Sequence, residues 1–75
     1  KIVSDDKRIT IDLNGNNMMV FSKEAAIQNS GDLEITNTLE NGKIYIYGWK
    51  FISNIDNGKL KLNKLNINEL NRLLF

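Results

Sequence analysis

The chain has 75 residues, with 41% apolar and 25% charged residues and a net charge of +1. That is the size of one small domain, and the composition is neither disordered nor membrane-spanning. Cys, His and Pro are all absent. No disulfide, thiolate metal site or Cys nucleophile can form, and the commonest general base and transition-metal ligand is missing. Below roughly 70–80 residues a single core rarely supplies more than about 3–5 kcal/mol. A domain without staples therefore needs an efficient core or a partner.

Asn occurs 12 times, Ile 10 times and Lys 8 times. All three have AT-rich codons, so an AT-rich genome accounts for the bias. The Asn residues are scattered through a patterned chain and form no low-complexity tract. There is no glycosylation sequon, no signal-peptide apolar segment and no apolar run near the length of a membrane span. A cytoplasmic setting and no membrane partner are the default expectations.

Asn-Gly, the strongest short hairpin signal, occurs at Asn14-Gly15, Asn41-Gly42 and Asn57-Gly58. Ile9, Ile11 and Leu13 alternate before the first turn, and Met18 to Phe21 follow it. A hairpin there pairs Ile11 with Met18 and Ile9 with Val20, or Leu13 with Met18 and Ile11 with Val20. Either register puts the same residues on a core face. The run from Ser22 to Gly31 reads as a two-turn helix, with Ser22 as N-cap, Glu24 in the first turn and Gly31 at C′. Leu33–Leu39 is a period-2 strand. The second turn returns it through Lys43–Ile52, and the third leads to Lys59–Asn63. From Asn66 onward, Ile67, Leu70, Leu73 and Leu74 have helical spacing. The expected fold is α+β: an antiparallel sheet of about five strands in the order β-β-α-β-β-β-α, with the C-terminal helix packed on it.

The central strand carries the one informative pattern. Tyr45, Tyr47, Trp49 and Phe51 alternate with Ile44, Ile46, Gly48 and Lys50, and Ile52 follows. Both faces are apolar, so the strand is expected to be central and covered on both sides. Hairpin pairing sets Thr38 opposite Tyr45, Thr36 opposite Tyr47, and Lys64 opposite Phe51. One face is then aliphatic, with Leu33, Ile35, Leu39, Ile44, Ile46 and Ile52. Gly48 is the place for a bulge that breaks the alternation beyond it. On one reading the C-terminal helix covers the aromatic row through Leu70, Leu73, Leu74 and Phe75. On the other, the row is an open interface or a base-stacking platform.

Charge divides along the chain. Residues 1–42 carry four basic and seven acidic residues, and residues 43–75 carry six basic and two acidic. The basic residues of the second part are Lys43, Lys50, Lys59, Lys61, Lys64 and Arg72. Lys59 and Lys61 suit an edge strand, where lysine blocks sheet-to-sheet pairing.

Catalytic motifs are absent. No spacing gives a Ser or Thr a base, and no glycine loop cradles phosphate. The segment Asp12–Asn17 lacks the Gly position and closing Glu of a Ca²⁺ loop. No cofactor or metal is expected, and a binding role is favoured over an enzymatic one. The first expectation is a small non-enzymatic protein-binding modulator, with Tyr45, Tyr47, Trp49 and Phe51 as anchors and Lys50 and Lys64 as rim. Small Cys-free domains of this composition are often phage or mobile-element proteins that inhibit host defence enzymes by surface occlusion; that link is one of association. The alternatives are a nucleic-acid-binding domain using the same aromatic residues and lysines, and a self-associating module, down to a homodimer.

Overall fold

A computed structural model of the chain describes residues 1–69, and the side chains of all of these except Trp49 and 66–69. Seven strands follow one another: β1 (Ile2–Val3), β2 (Arg8–Asp12), β3 (Met18–Asn29), β4 (Asp32–Thr36), β5 (Lys43–Asn54), β6 (Lys59–Leu62) and β7 (Asn66–Glu69). Among the described residues there is no helix. Every pairing is parallel. The odd strands form a long sheet in the order β1-β3-β5-β7, and the even strands a short sheet in the order β2-β4-β6.

Partners recur at a steady separation. Lys43 pairs with Asn66, 23 residues on, and Asp32 pairs with Lys59, 27 residues on. The other registers fall between these limits. Each strand of the long sheet crosses to the short sheet, and the next crosses back one strand spacing further along. The chain is thus a parallel β-solenoid of short rungs, a repeat in which each rung buries its apolar side against its neighbours.

The core lies between the two sheets. Val20, Ile27, Ile44, Ile46 and Ile52 enter it from the long sheet, and Leu33 and Ile35 from the short one. Ile35, Ile44 and Ile52 are fully buried. Their β-branched side chains suit stacked, pleated surfaces.

The α+β, antiparallel expectation is therefore corrected in three places. First, the Asn-Gly turns do not return the chain antiparallel to itself. Asn14 (φ 50°) and Gly15 (φ 80°) do adopt the two positive φ angles of a type I′ turn, and the Asn16 N–H closes it on the Leu13 carbonyl at 2.9 Å. The turn serves as a corner between sheets. Tyr45 and Tyr47 consequently lie beside Met19 and Phe21 of the preceding rung, not beside Thr38 and Thr36. Second, the segment expected as a helix from Ser22 to Gly31 continues β3 as far as Asn29. Its Ala25 and Ile27 pair with Lys50 and Ile52, and these tertiary bonds outweigh a two-turn helical preference. Third, residues 66–69 form strand β7 where the C-terminal helix was expected to begin. Leu70, Leu73, Leu74 and Phe75 lie outside the described residues.

Candidate functional site

The long strands change course in the middle. The β3–β5 register shifts between Ser22 and Ala25, opposite Gly48. Gly48 has φ 120°, and a Cβ built there would come within 2.1 Å of the Ser22 carbonyl oxygen. Only glycine allows the two backbones to touch at this bulge. Beyond it, Phe51 and Ile52 are both buried, so the strict alternation ends where the sequence placed the break.

Before the bulge, alternation divides the side chains cleanly. Val20, Ile44 and Ile46 point into the core. Met19, Phe21, Tyr45 and Tyr47 project from the outer surface in two rungs, with Met19 beside Tyr45 and Phe21 beside Tyr47. Met19 is 60% exposed and Phe21 71%, while Tyr45 and Tyr47 are half-buried. The Phe21 and Tyr47 rings stack, with centroids 4.8 Å apart and planes 6° from parallel. Rung spacing sets this geometry, because side chains one strand apart in register stand about 4.8 Å from each other.

The structure thus separates the six expected site residues. Tyr45 and Tyr47 stand on the outer surface. The side chain of Trp49 lies outside what the structure describes. Lys50 is half-buried beyond the bulge, beside Ala25. Phe51 is 2% exposed and belongs to the core, so it offers no surface to a partner. Lys64 is at the corner after β6, where its Nζ lies 3.9 Å from Glu40 Oε1.

Met19 and Phe21 follow the first turn in the sequence reading and carry no site role there. Their place beside the tyrosines is legible only through the repeat. Ile27-Gln28-Asn29 and Ile52-Ser53-Asn54 are 25 residues apart, and Leu33-x-Ile35 precedes Leu60-x-Leu62 by 27. These offsets bring Phe21 only to within one residue of Tyr47; the offset of 26 that holds before the bulge sets the two side by side.

The short sheet presents a different surface. Arg8, Asp32 and Lys59 run across its outer side in one register row, and Thr10, Glu34 and Lys61 in the next. Arg8 Nε lies 3.6 Å from Asp32 Oδ2. Lys59 and Lys61 lie on β6, the last strand of the short sheet among the described residues. At the end of the same sheet, Asp12 accepts hydrogen bonds from the Thr38 hydroxyl, the Thr38 N–H at 3.0 Å and the Asn14 N–H at 2.9 Å. The Thr38 hydroxyl, and then these amides, hold the Asp12 carboxyl below its ordinary range.

Among the described residues, no group of three or more His, Cys, Asp or Glu side chains is placed to hold a metal ion. No helix among them is long and apolar enough to cross a membrane. Comparison with protein-family models, curated proteins and solved structures finds no match.

Proposed function

We propose that the chain is a non-enzymatic binding module that docks a protein partner on the outer surface of its long sheet. Met19, Phe21, Tyr45 and Tyr47 are the contact residues. The observation that carries this reading is the stacked Phe21–Tyr47 pair, with Phe21 71% exposed on a parallel sheet. Large rings held rigid by their own stacking lose little entropy on binding, and such aromatics dominate interface energetics. The narrower expectation, inhibition of a host enzyme by surface occlusion, is one form of this reading.

The distribution of charge supports a protein partner over a nucleic acid. A nucleic-acid surface needs lysines and stacking rings side by side. Lys59 and Lys61 lie instead on the short sheet, in register rows with Asp32 and Glu34. Of the described basic residues in the second part, only Lys43 shares the tyrosine row of β5.

The test is a binary complex. A photoreactive residue in place of Met19 captures the partner, and the complex is then rebuilt from purified components. Phe21→Ala and Tyr47→Ala are each expected to weaken it about tenfold or more. Unchanged affinity in both variants overturns the reading. Tight binding to generic DNA or RNA at about 50 mM salt, lost steeply as salt rises, replaces it with the nucleic-acid alternative.

A further inference from the structure

The three Asn-Gly pairs are alike in sequence and in exposure, since Asn14, Asn41 and Asn57 all stand in solvent. Backbone hydrogen bonding tells them apart. At the first pair, the Gly15 N–H donates to Asn37 Oδ1 at 2.8 Å, and Asn14 holds a left-handed φ of 50°. At the third, the Gly58 N–H closes its turn on the Ile55 carbonyl at 2.9 Å. At the second, the turn closes earlier, through the Glu40 N–H on the Asn37 carbonyl at 3.0 Å. Asn41 and Gly42 follow that turn and precede β5, and among the described residues the Gly42 N–H makes no hydrogen bond.

The backbone on either side of that N–H is held. The Gly42 carbonyl accepts from Asn37 Nδ2 at 3.2 Å, and the Lys43 N–H donates to Asn17 Oδ1 at 3.0 Å. Described corners also flank this one, at 13–17 in the preceding rung and at 63–65 in the following one. The arrangement is therefore internal to the stack.

We infer that Asn41 is a site of intramolecular deamidation, and that in the folded chain it converts ahead of Asn14 and Asn57. Asparagine is thermolabile, and a following glycine leaves the attacking N–H unhindered by a side chain. As hydroxide takes the Gly42 N–H proton, the nitrogen bonds to Asn41 Cγ. The Cγ–Nδ2 bond breaks, and Nδ2 takes a proton from water and leaves as ammonia. Water then opens the succinimide ring at one carbonyl or the other, giving aspartate or isoaspartate. At Asn14 and Asn57 the same closure must first break the hydrogen bond of the glycine N–H. At Asn41 it breaks none.

Either product sets a carboxylate next to Glu40, whose Oε1 lies 3.9 Å from Lys64 Nζ. The net charge of the chain falls from +1 to zero. Isoaspartate also lengthens the main chain at this corner. Gly42 is closely packed there, and a Cβ built on it would lie 2.2 Å from the Asn16 carbonyl oxygen. The isoaspartyl form therefore strains the corner that leads into Tyr45 and Tyr47.

The three pairs fall in separate tryptic peptides, 9–23, 24–43 and 51–59. The whole chain is aged in mildly alkaline buffer, then digested, and each converted residue is located by fragmentation in the mass spectrometer. In the folded chain Asn41 is expected to convert about fivefold faster than either of the others. In urea the three rates are expected to converge. Asn41→Gln, whose longer side chain must close a larger ring, is expected to lose the early acidic species seen by ion exchange. Conversion led by Asn14 or Asn57 in the folded chain, or equal at all three, overturns the proposal. A lead of Asn41 that persists in urea, or an early acidic species that survives Asn41→Gln, overturns it as well.

Discussion

Two asparagines do the work of the corners from inside. Asn29 is fully buried where the long sheet hands over to the short one. Its Nδ2 donates to Asn54 Oδ1 at 2.7 Å and to the Lys59 carbonyl at 2.9 Å, and its Oδ1 accepts from the Gly31 N–H at 3.1 Å. Asn54, one rung on, repeats part of the pattern by donating to the Gly58 carbonyl at 2.7 Å. Asn37, also fully buried, ties Gly15 to Gly42 at the other corner. An amide side chain carries two N–H donors and a carbonyl acceptor, so it can bond to backbone groups on both sides of a stack. Asn29→Ala strands buried backbone partners, so urea unfolding is expected to show a loss of about 2–3 kcal/mol. Asn54→Ala, at an exposed site, is expected to cost less. Asp12 adds a pH dependence of known sign. Its folded pKa is depressed, so its contribution is present above the unfolded value and fades as pH falls through the folded one. Stability measured by denaturation is expected to decline below about pH 4, and Asp12→Asn is expected to flatten that decline.

The strands were legible as strands, but their partners were not. Period-2 alternation found 43–52 and its neighbours, since alternation reports only that one side of a segment is buried. The Asn14-Gly15 turn was also legible, down to its two positive φ angles. Whether a turn folds a strand back or passes it to another sheet depends on what lies beyond, and a dipeptide carries no record of that. The segment from Ser22 misled for a related reason. Ser, Glu, Ala and Gly at those positions satisfy helix-capping rules, yet Ile27 and Asn29 match Ile52 and Asn54 one rung away. Gly48 is where element geometry is most constrained. Gly48→Ala puts a side chain at φ 120° against the Ser22 carbonyl, and a loss of about 2 kcal/mol or more is expected in thermal or urea unfolding.

In the whole molecule, stability is shared between neighbouring rungs, so position along the stack decides how much each core residue matters. Ile35 is fully buried in β4, between β2 and β6, whereas Ile9 lies on β2, which has β4 as its one described neighbour, and is 37% exposed. Ile35→Ala is expected to cost about 2–5 kcal/mol, which is comparable with the whole stability of a chain this small. Ile9→Ala is expected to cost under about 1 kcal/mol in the isolated chain. Circular dichroism of both variants against urea checks the difference.

The sequence by itself determined the inventory: no cysteine or histidine, the alternating strands, the positive-φ turn at Asn14-Gly15 and most of the core. Of the aliphatic face expected from hairpin pairing, only Leu39 lies on the surface. The core survived the wrong topology because alternation sorts side chains into inside and outside whichever neighbour the strand acquires. Tertiary structure alone decided which strands meet, since parallel pairing at a separation of 23–27 residues is a non-local choice. That choice set Phe21 against Tyr47, took Phe51 into the core and parted Lys59 and Lys61 from the tyrosines.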